Sequence, residues 1–289
     1  MRKKVSVLLL LLLLCAAPLA HAQEFSPEAL PLYKGIDVSA WQRDIDHKKV
    51  AESGISMVYI RSSLGADMID PYFERNAEGF SKQGVQVGYY HYLTARTPES
   101  ARHQARFFAE LIRDKPLALR PAMDFERTAG LSRREIQEIA RAFLTELEAQ
   151  LNIRPALYSS ASGARTRYDD SFARYPLWVA NYGVHHPEPN GHWTSWAGFQ
   201  YDDLGRVPGI EGHVDLDHFT SALRIDSDKP EPDPEPKPDC ARPRAYVVQK
   251  GDSLRRIARR FETSVNELLS LNPMRDPNRI FPGQVLYLP

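Results

Sequence analysis

Apolar residues recur along the chain in two periods, and the places where the period changes divide it. Short strand-like runs fall at residues 36–38, 57–60, 85–92, 122–125, 155–158, 177–180, 198–201 and 214–219. Between the earlier runs the spacing shifts to that of amphipathic helices. Thr97 and Pro98 supply a cap and a first-turn proline ahead of Ala101, Ala105, Phe108 and Ile112. Ser132 and Glu135 form a capping box ahead of Ile136, Ile139, Phe143, Leu147 and Leu151. Strands alternating with helices predict an α/β fold, a repeat that closes into a parallel barrel. After the sixth run, residues 185–195 and 202–212 are broken by Pro, Gly and His and carry no helical period. The expected fold is an incomplete (β/α) barrel of eight strands with fewer helices, irregular on its C-terminal side.

Two further changes of pattern set the boundaries. Residues 1–22 read as a signal peptide: basic Arg2-Lys3-Lys4, an apolar block over 5–14, and the small-x-small site Ala20-His21-Ala22. The apolar block is too short for a stable membrane anchor. Leu14 before Cys15 argues against lipid attachment there. Removal of the leader leaves Cys240 as the single cysteine, so an exported chain must be held together by its hydrophobic core rather than by an internal disulfide. Residues 226–243 alternate proline with charged residues, a polyproline II spacer able to reach roughly 50 Å. The expected large unit therefore covers residues 30–225, and a small βααβ module covers 244–289. Tethering by a spacer is read as a monomer's arrangement.

Charge narrows the partners. Thirty-seven basic residues balance thirty-seven acidic ones, which offers nucleic acid no phosphate-neutralising surface. The module is basic, and Arg255, Arg256, Arg259 and Arg260 fall on its first predicted helix, a solvated face that could also be drawn to an anionic polymer.

The most informative pattern is acidic. Asp124 and Glu126 lie two apart in a strand-like run, so alternation turns both to one face at about 6.5–7 Å, where like charges repel and nothing is gained for folding. Asp37 and Asp215 sit in two other apolar strands at the two ends of the same unit. A closed barrel would gather all of them at one mouth, where groups for proton chemistry are expected. Tyr90, Tyr92, Tyr158, Trp178 and Tyr182 fall near strand ends, where rings could stack on pyranose faces. His185, His186, Glu188 and His192 match no standard zinc spacing. Neither a phosphate-binding glycine loop nor a serine nucleophile elbow is present. No metal or cofactor is called for.

Together these segments resemble the glycoside hydrolase family 25 lysozymes. The resemblance rests on Gly-Ile-Asp-Val-Ser-Ala-Trp-Gln at 35–42, Gly-Tyr-Tyr-His-Tyr at 88–92, Met-Asp-Phe-Glu at 123–126, Leu-Trp-Val-Ala-Asn-Tyr at 177–182 and Val-Asp-Leu-Asp-His-Phe at 214–219. It implies an N-acetylmuramidase that cuts the β-1,4 bond between N-acetylmuramic acid and N-acetylglucosamine in peptidoglycan glycan strands. Position by position, it implies that Asp37, Asp124, Glu126 and Asp215 are the acids of the site. Tyr90, His91, Tyr158, Trp178, Tyr182 and Gln200 are expected to line the sugar site. Phe199 stands where the family commonly has Trp. The segments at 246–258, 268–273 and 281–288 resemble a LysM module, which implies binding to N-acetylglucosamine-containing polymers. A chitin-directed glycosidase and a non-catalytic wall-binding protein are the rival classes.

An ordinary glutamic acid is only about 0.2% protonated at neutral pH, and raising its pKa by about two units lifts that to roughly 15–20%. Repulsion from Asp124, Asp37 and Asp215 is expected to supply the rise, making Glu126 the general acid/base. One strand face cannot flank a sugar from both sides, so the Asp-x-Glu pair resembles the substrate-assisted hydrolases, in which a 2-acetamido oxygen attacks the anomeric carbon.

Overall fold

The computed structural model describes residues 32–188, 190–226, 244–272, 274 and 279–289. The expected leader, most of the proline-rich spacer, Cys15 and Cys240 lie outside the described residues.

The elements follow in the order β1 (Tyr33–Val38), α1 (His47–Glu52), β2 (Met57–Leu64), β3 (Met68–Ile69), α2 (Phe73–Lys82), β4 (Gln86–Tyr92), α3 (Pro98–Ile112), β5 (Ala122–Asp124), α4 (Arg133–Leu151), β6 (Ala156–Ser160), α5 (Ala161–Arg167), β7 (Leu177–Ala180), β8 (Gly198–Gly205) and β9 (Val214–Phe219). All eight strand-like runs are strands; the short β3, which forms a hairpin with β2, is additional. The neighbours run β1-β9-β8-β7-β6-β5-β4-β2, and pairing of β1 with β2 closes the ring. The two helices read from caps are present as read. Thr97 accepts from the Ser100 amide, and Ser132 and Glu135 form a reciprocal capping box. Asn152 ends α4 in the left-handed conformation that its short polar side chain tolerates.

One expectation is corrected. A parallel barrel requires a crossover of a dozen or more residues between strands. Only eight residues separate β8 from β9, and they include Pro208 and the positive-φ Gly209 and Gly212, so the chain turns back as a hairpin. β9 therefore runs antiparallel to both β8 and β1. Its N-terminal end, rather than its C-terminal end, lies at the level where the neighbouring strands finish.

Strand alternation sorts side chains into two layers. Outward residues such as Ile36, Val58, Tyr89, Met123, Phe125 and Leu157 join the apolar faces of α3 and α4 in the large core. Inward residues, among them Tyr59, Trp178 and Phe219, fill the barrel itself. Tyr59 and Trp178 stack at 4.6 Å, Phe219 packs edge-on against both, and the Tyr59 hydroxyl donates to the Arg120 carbonyl at 2.8 Å. The fit leaves no room at Gly35, where a Cβ would stand 2.2 Å from the Phe219 ring. This plug makes the interior a floor rather than a channel.

The C-terminal unit is β10 (Arg244–Val247), α6 (Leu254–Arg260), α7 (Val265–Leu271) and β11 (Val285–Leu288), the expected βααβ order. Its own core is Tyr246, Val248, Leu254, Ile257, Ala258, Leu268, Leu286 and Leu288. Asn272 ties α7 to β11 by accepting from the Tyr287 amide at 2.7 Å and donating to the Leu268 and Tyr287 carbonyls. The β10–β11 ribbon lies against the barrel flank that lacks helices, with the Tyr287 hydroxyl 3.4 Å from His218 Nε2 and His218 stacked on Tyr201 at 4.5 Å. Arg255, Arg256, Arg259 and Arg260 are exposed on α6. No helix among the described residues is long and apolar enough to cross a membrane.

Candidate active site

The barrel mouth gathers acids from three strands. Asp37 lies one residue before the end of β1, and Asp215 is its register partner on the antiparallel β9. Asp124 closes β5, between Tyr92 on β4 and Tyr158 on β6. Two residues beyond, alternation still holds: Phe125 turns outward into the core, and Glu126 rises at the open rim. Asp37 and Asp124 are buried, Asp215 is half-buried, and Glu126 is exposed. The four acids expected to act together are therefore brought together, at graded depths.

Depth sets their protonation. Burial, then the Asp215 charge, raises Asp37 well above the ordinary carboxylate range. Burial, then Glu126, raises Asp124 similarly, and Arg61 partly offsets the rise. Asp215 is pushed up to about 6 by burial and by Asp203 and Asp202 of β8. Glu126 is also raised, by desolvation, against the lowering influence of Arg167. This corrects the expected cause. The repulsion anticipated for Glu126 is expressed on its neighbours, whose carboxyls are deeper, while partial removal from water is what lifts Glu126 itself.

A polar relay fixes Asp37. The hydroxyls of Tyr158 and Tyr182 both reach Gln200 Oε1, at 2.8 and 2.7 Å. Both lone-pair directions of that oxygen are then used, and Gln200 Nε2 donates to Asp37 Oδ2 at 2.5 Å. Tyr158 and Gln200 are buried, so they orient an acid rather than offer a broad binding face. Tyr182 keeps 45% of its surface exposed.

Two expected sugar contacts are not where they were expected. His91 alternates out of the barrel between Tyr90 and Tyr92: its ring contacts Ser63 Oγ and Gln104 Oε1 and stacks on Phe143 of α4. Trp178 faces inward but is only 1% exposed, closed over by Tyr59, Tyr90, Tyr158 and Phe219. It is the floor of the site. Tyr90 shows 8% of its surface at the edge of that floor.

Other residues present at the site went unassigned in the sequence. Trp41, 82% exposed, stands on the turn that follows β1. That turn is pinned by a Ser39–Gln42 capping box, by Gln42 on the His213 carbonyl, and by Asp70, which accepts from the Ala40 amide while paired with Arg61. A large ring held in water by a fixed turn gains the fold nothing. Asp217 lies on the same face of β9 as Asp215 and accepts from the Trp178 indole at 2.8 Å. Asp215 and Asp217 have the same two-residue spacing as Asp124 and Glu126. Of the histidine-rich loop, His186 packs near Phe281, and Glu188 pairs with Arg165.

A barrel whose mouth holds carboxyl groups at different depths and protonation states is equipped for acid–base cleavage of glycosidic bonds. Residues 36–210 match glycosyl hydrolases family 25, and the chain belongs to that family; residues 246–289 match the LysM domain. The autolytic lysozyme of Clostridium acetobutylicum is 33% identical over 192 residues, covering 66% of this chain and 57% of that protein. Lysozyme M1 of Streptomyces globisporus is 30% identical over 206 residues, covering 66% and 69%. The crystal structure of the bacterial lysozyme from Streptomyces coelicolor superposes with a TM-score of 0.60 at 27% identity, over 67% of this chain and 95% of that one.

Proposed function

We propose that this chain is an exported peptidoglycan hydrolase that cleaves the β-1,4 bond between N-acetylmuramic acid and N-acetylglucosamine, with Glu126 as general acid/base. The observation that carries the reading is the difference between two acids on one strand face: Asp124 lies in the floor, 7% exposed, and Glu126 stands at the open rim. The exposed acid can reach a leaving glycosidic oxygen. The buried one can grip the group that settles onto the floor.

Asp124 Oδ1 is buried and meets no donor among the described residues. A 2-acetamido N–H supplied by the sugar fits that unmet acceptor, and the contact would turn the acetamido carbonyl toward the anomeric carbon. Glu126 then protonates the glycosidic oxygen as the C1–O bond breaks, and the acetamido oxygen forms the new bond to C1. Asp124 balances the positive charge that this leaves on the ring nitrogen. In the second half, Glu126, now ionised, takes a proton from water as the water oxygen attacks C1 and the acetamido group is restored. Asp37, held by Gln200, and Asp215 are placed to bind sugar hydroxyls. Trp41 and Tyr182 offer the exposed aromatic surface for the glycan. The C-terminal module is read as a glycan-binding unit that keeps the chain on N-acetylglucosamine-containing polymer.

Mass spectrometry of the fragments from purified cell walls tests the bond assignment. Fragments with N-acetylmuramic acid at the new reducing end support it; N-acetylglucosamine at that end, or release only from chitin oligomers, would replace it with the rival glycosidase reading.

A further inference from the structure

Asp217 is the most deeply buried acid of the cluster, 1% exposed, and the mechanism above leaves it without a task. It lies opposite Gly35 in the register of β9 with β1 and opposite Gln200 in that with β8. Its Oδ1 is occupied by the Trp178 indole hydrogen. Its Oδ2 is sealed from solvent and meets no donor among the described residues. Besides Trp178, the side chain that acts on Asp217 at hydrogen-bonding range is another acid, Asp37.

Two ionised carboxylates cannot satisfy each other there. Both only accept, and burial strengthens their repulsion. A single shared hydrogen resolves the conflict, and the surroundings decide which acid carries it. Asp37 already receives the Gln200 amide hydrogen, a contact that favours its ionised form. Asp217 is deeper and receives one hydrogen, from Trp178. The other groups acting on it are Asp215 on its own strand, Tyr59 of β2 and Tyr201 of β8, none of which brings positive charge.

Resting on the family 25 reading of the mouth, we propose that Asp217 remains protonated through the working pH range and donates from Oδ2 to the Asp37 carboxylate. It is a positioning residue. A neutral acid beneath Asp37 lets Asp37 stay ionised in a site where burial would otherwise neutralise it, and it fixes the carboxylate that faces the sugar. An apolar site can hold a carboxylic acid neutral at pH 7 in order to donate a hydrogen bond. Asparagine would do the same work, because its amide oxygen can accept from Trp178 while its nitrogen donates to Asp37.

The test is infrared difference spectroscopy of the full-length wild type against Asp217→Asn, from pH 5 to 8, together with wall clearing by wild type, Asp217→Asn and Asp217→Leu. The proposal predicts a carboxylic-acid carbonyl band in the wild type that persists to pH 8 and is absent in Asp217→Asn. It predicts that Asp217→Asn keeps most of the clearing rate with the same pH profile. Asp217→Leu should lose about tenfold to a hundredfold, the scale of one hydrogen bond to a charged group, with its acid limb displaced. No such band, or equal loss in both variants, overturns the proposal. Should the wild type clear no wall at all, the reading of the mouth as a muramidase fails, and the band still decides where the proton lies, whether or not Asp217→Leu folds.

Discussion

Gln200 of β8 holds Asp37 of β1 across the intervening β9, its amide nitrogen 2.5 Å from Asp37 Oδ2. Two tyrosine hydroxyls on the amide oxygen leave the nitrogen no other orientation. Gln200→Leu should therefore lower kcat by about tenfold to a hundredfold with a smaller change in KM, because it frees an acid already in place instead of removing a sugar contact. Tyr158→Phe and Tyr182→Phe should each cost less than the double substitution. Steady-state rates on soluble glycan fragments check both.

Trp41 makes a separate prediction, because its ring is exposed and its turn is anchored by backbone and by Asp70. Trp41→Ala should leave the melting temperature unchanged and raise KM by about threefold to tenfold, the scale of one aromatic stacking contact. An unchanged KM would remove Trp41 from the glycan path.

The acid cluster destabilises the fold that carries it. Asp215 has a folded pKa raised to about 6 from the ordinary 3.8. For an acid raised in this way the unfolded chain ionises first as pH climbs, so stability is full below about pH 4 and is lost as pH rises through 6. Half-burial screens the effect, leaving on the order of 1–2 kcal/mol. Asp215→Asn should therefore raise the melting temperature at pH 7 by a few degrees while impairing activity, and the difference should vanish at pH 3. Calorimetry at the two pH values checks the sign.

His218 behaves oppositely. Burial under the C-terminal module, helped by Lys34, lowers its pKa from 6.5 to about 4. The module's contact is then favoured above pH 6.5 and weakened as pH falls toward 4, where charging His218 beside Tyr201 and Tyr287 must be met. Small-angle scattering of the full chain should show expansion between pH 6.5 and 4, and His218→Phe should lose that dependence.

Much of this was legible because it is periodic. Eight apolar runs became eight barrel strands, and the caps at Thr97 and Ser132 marked their helices to the residue. The missing helices after β7 were visible in the proline and glycine of the broken stretches. The reversal of β9 was not, since an apolar run carries no direction; the shortness of the connection to β8 was the available clue. His91 belongs to the motif that implies sugar contact, yet alternation with Tyr90 and Tyr92 puts it on the other face. Trp178 and Tyr158 looked like sugar platforms because aromatic residues at strand ends serve either as floor or as surface, and only burial separates the two. Asp217 stands two residues from Asp215, the same spacing as Asp124 and Glu126, so its shared face was legible on the same ground.

The central claim is that Glu126, at the rim of an acid-lined barrel, supplies the proton. The most direct measurement is the rate at which new reducing ends appear from purified cell walls with wild type and Glu126→Gln, both confirmed folded by circular dichroism. Loss of about 10²–10⁴-fold in the variant is the predicted result. Equal rates from the two proteins would contradict it.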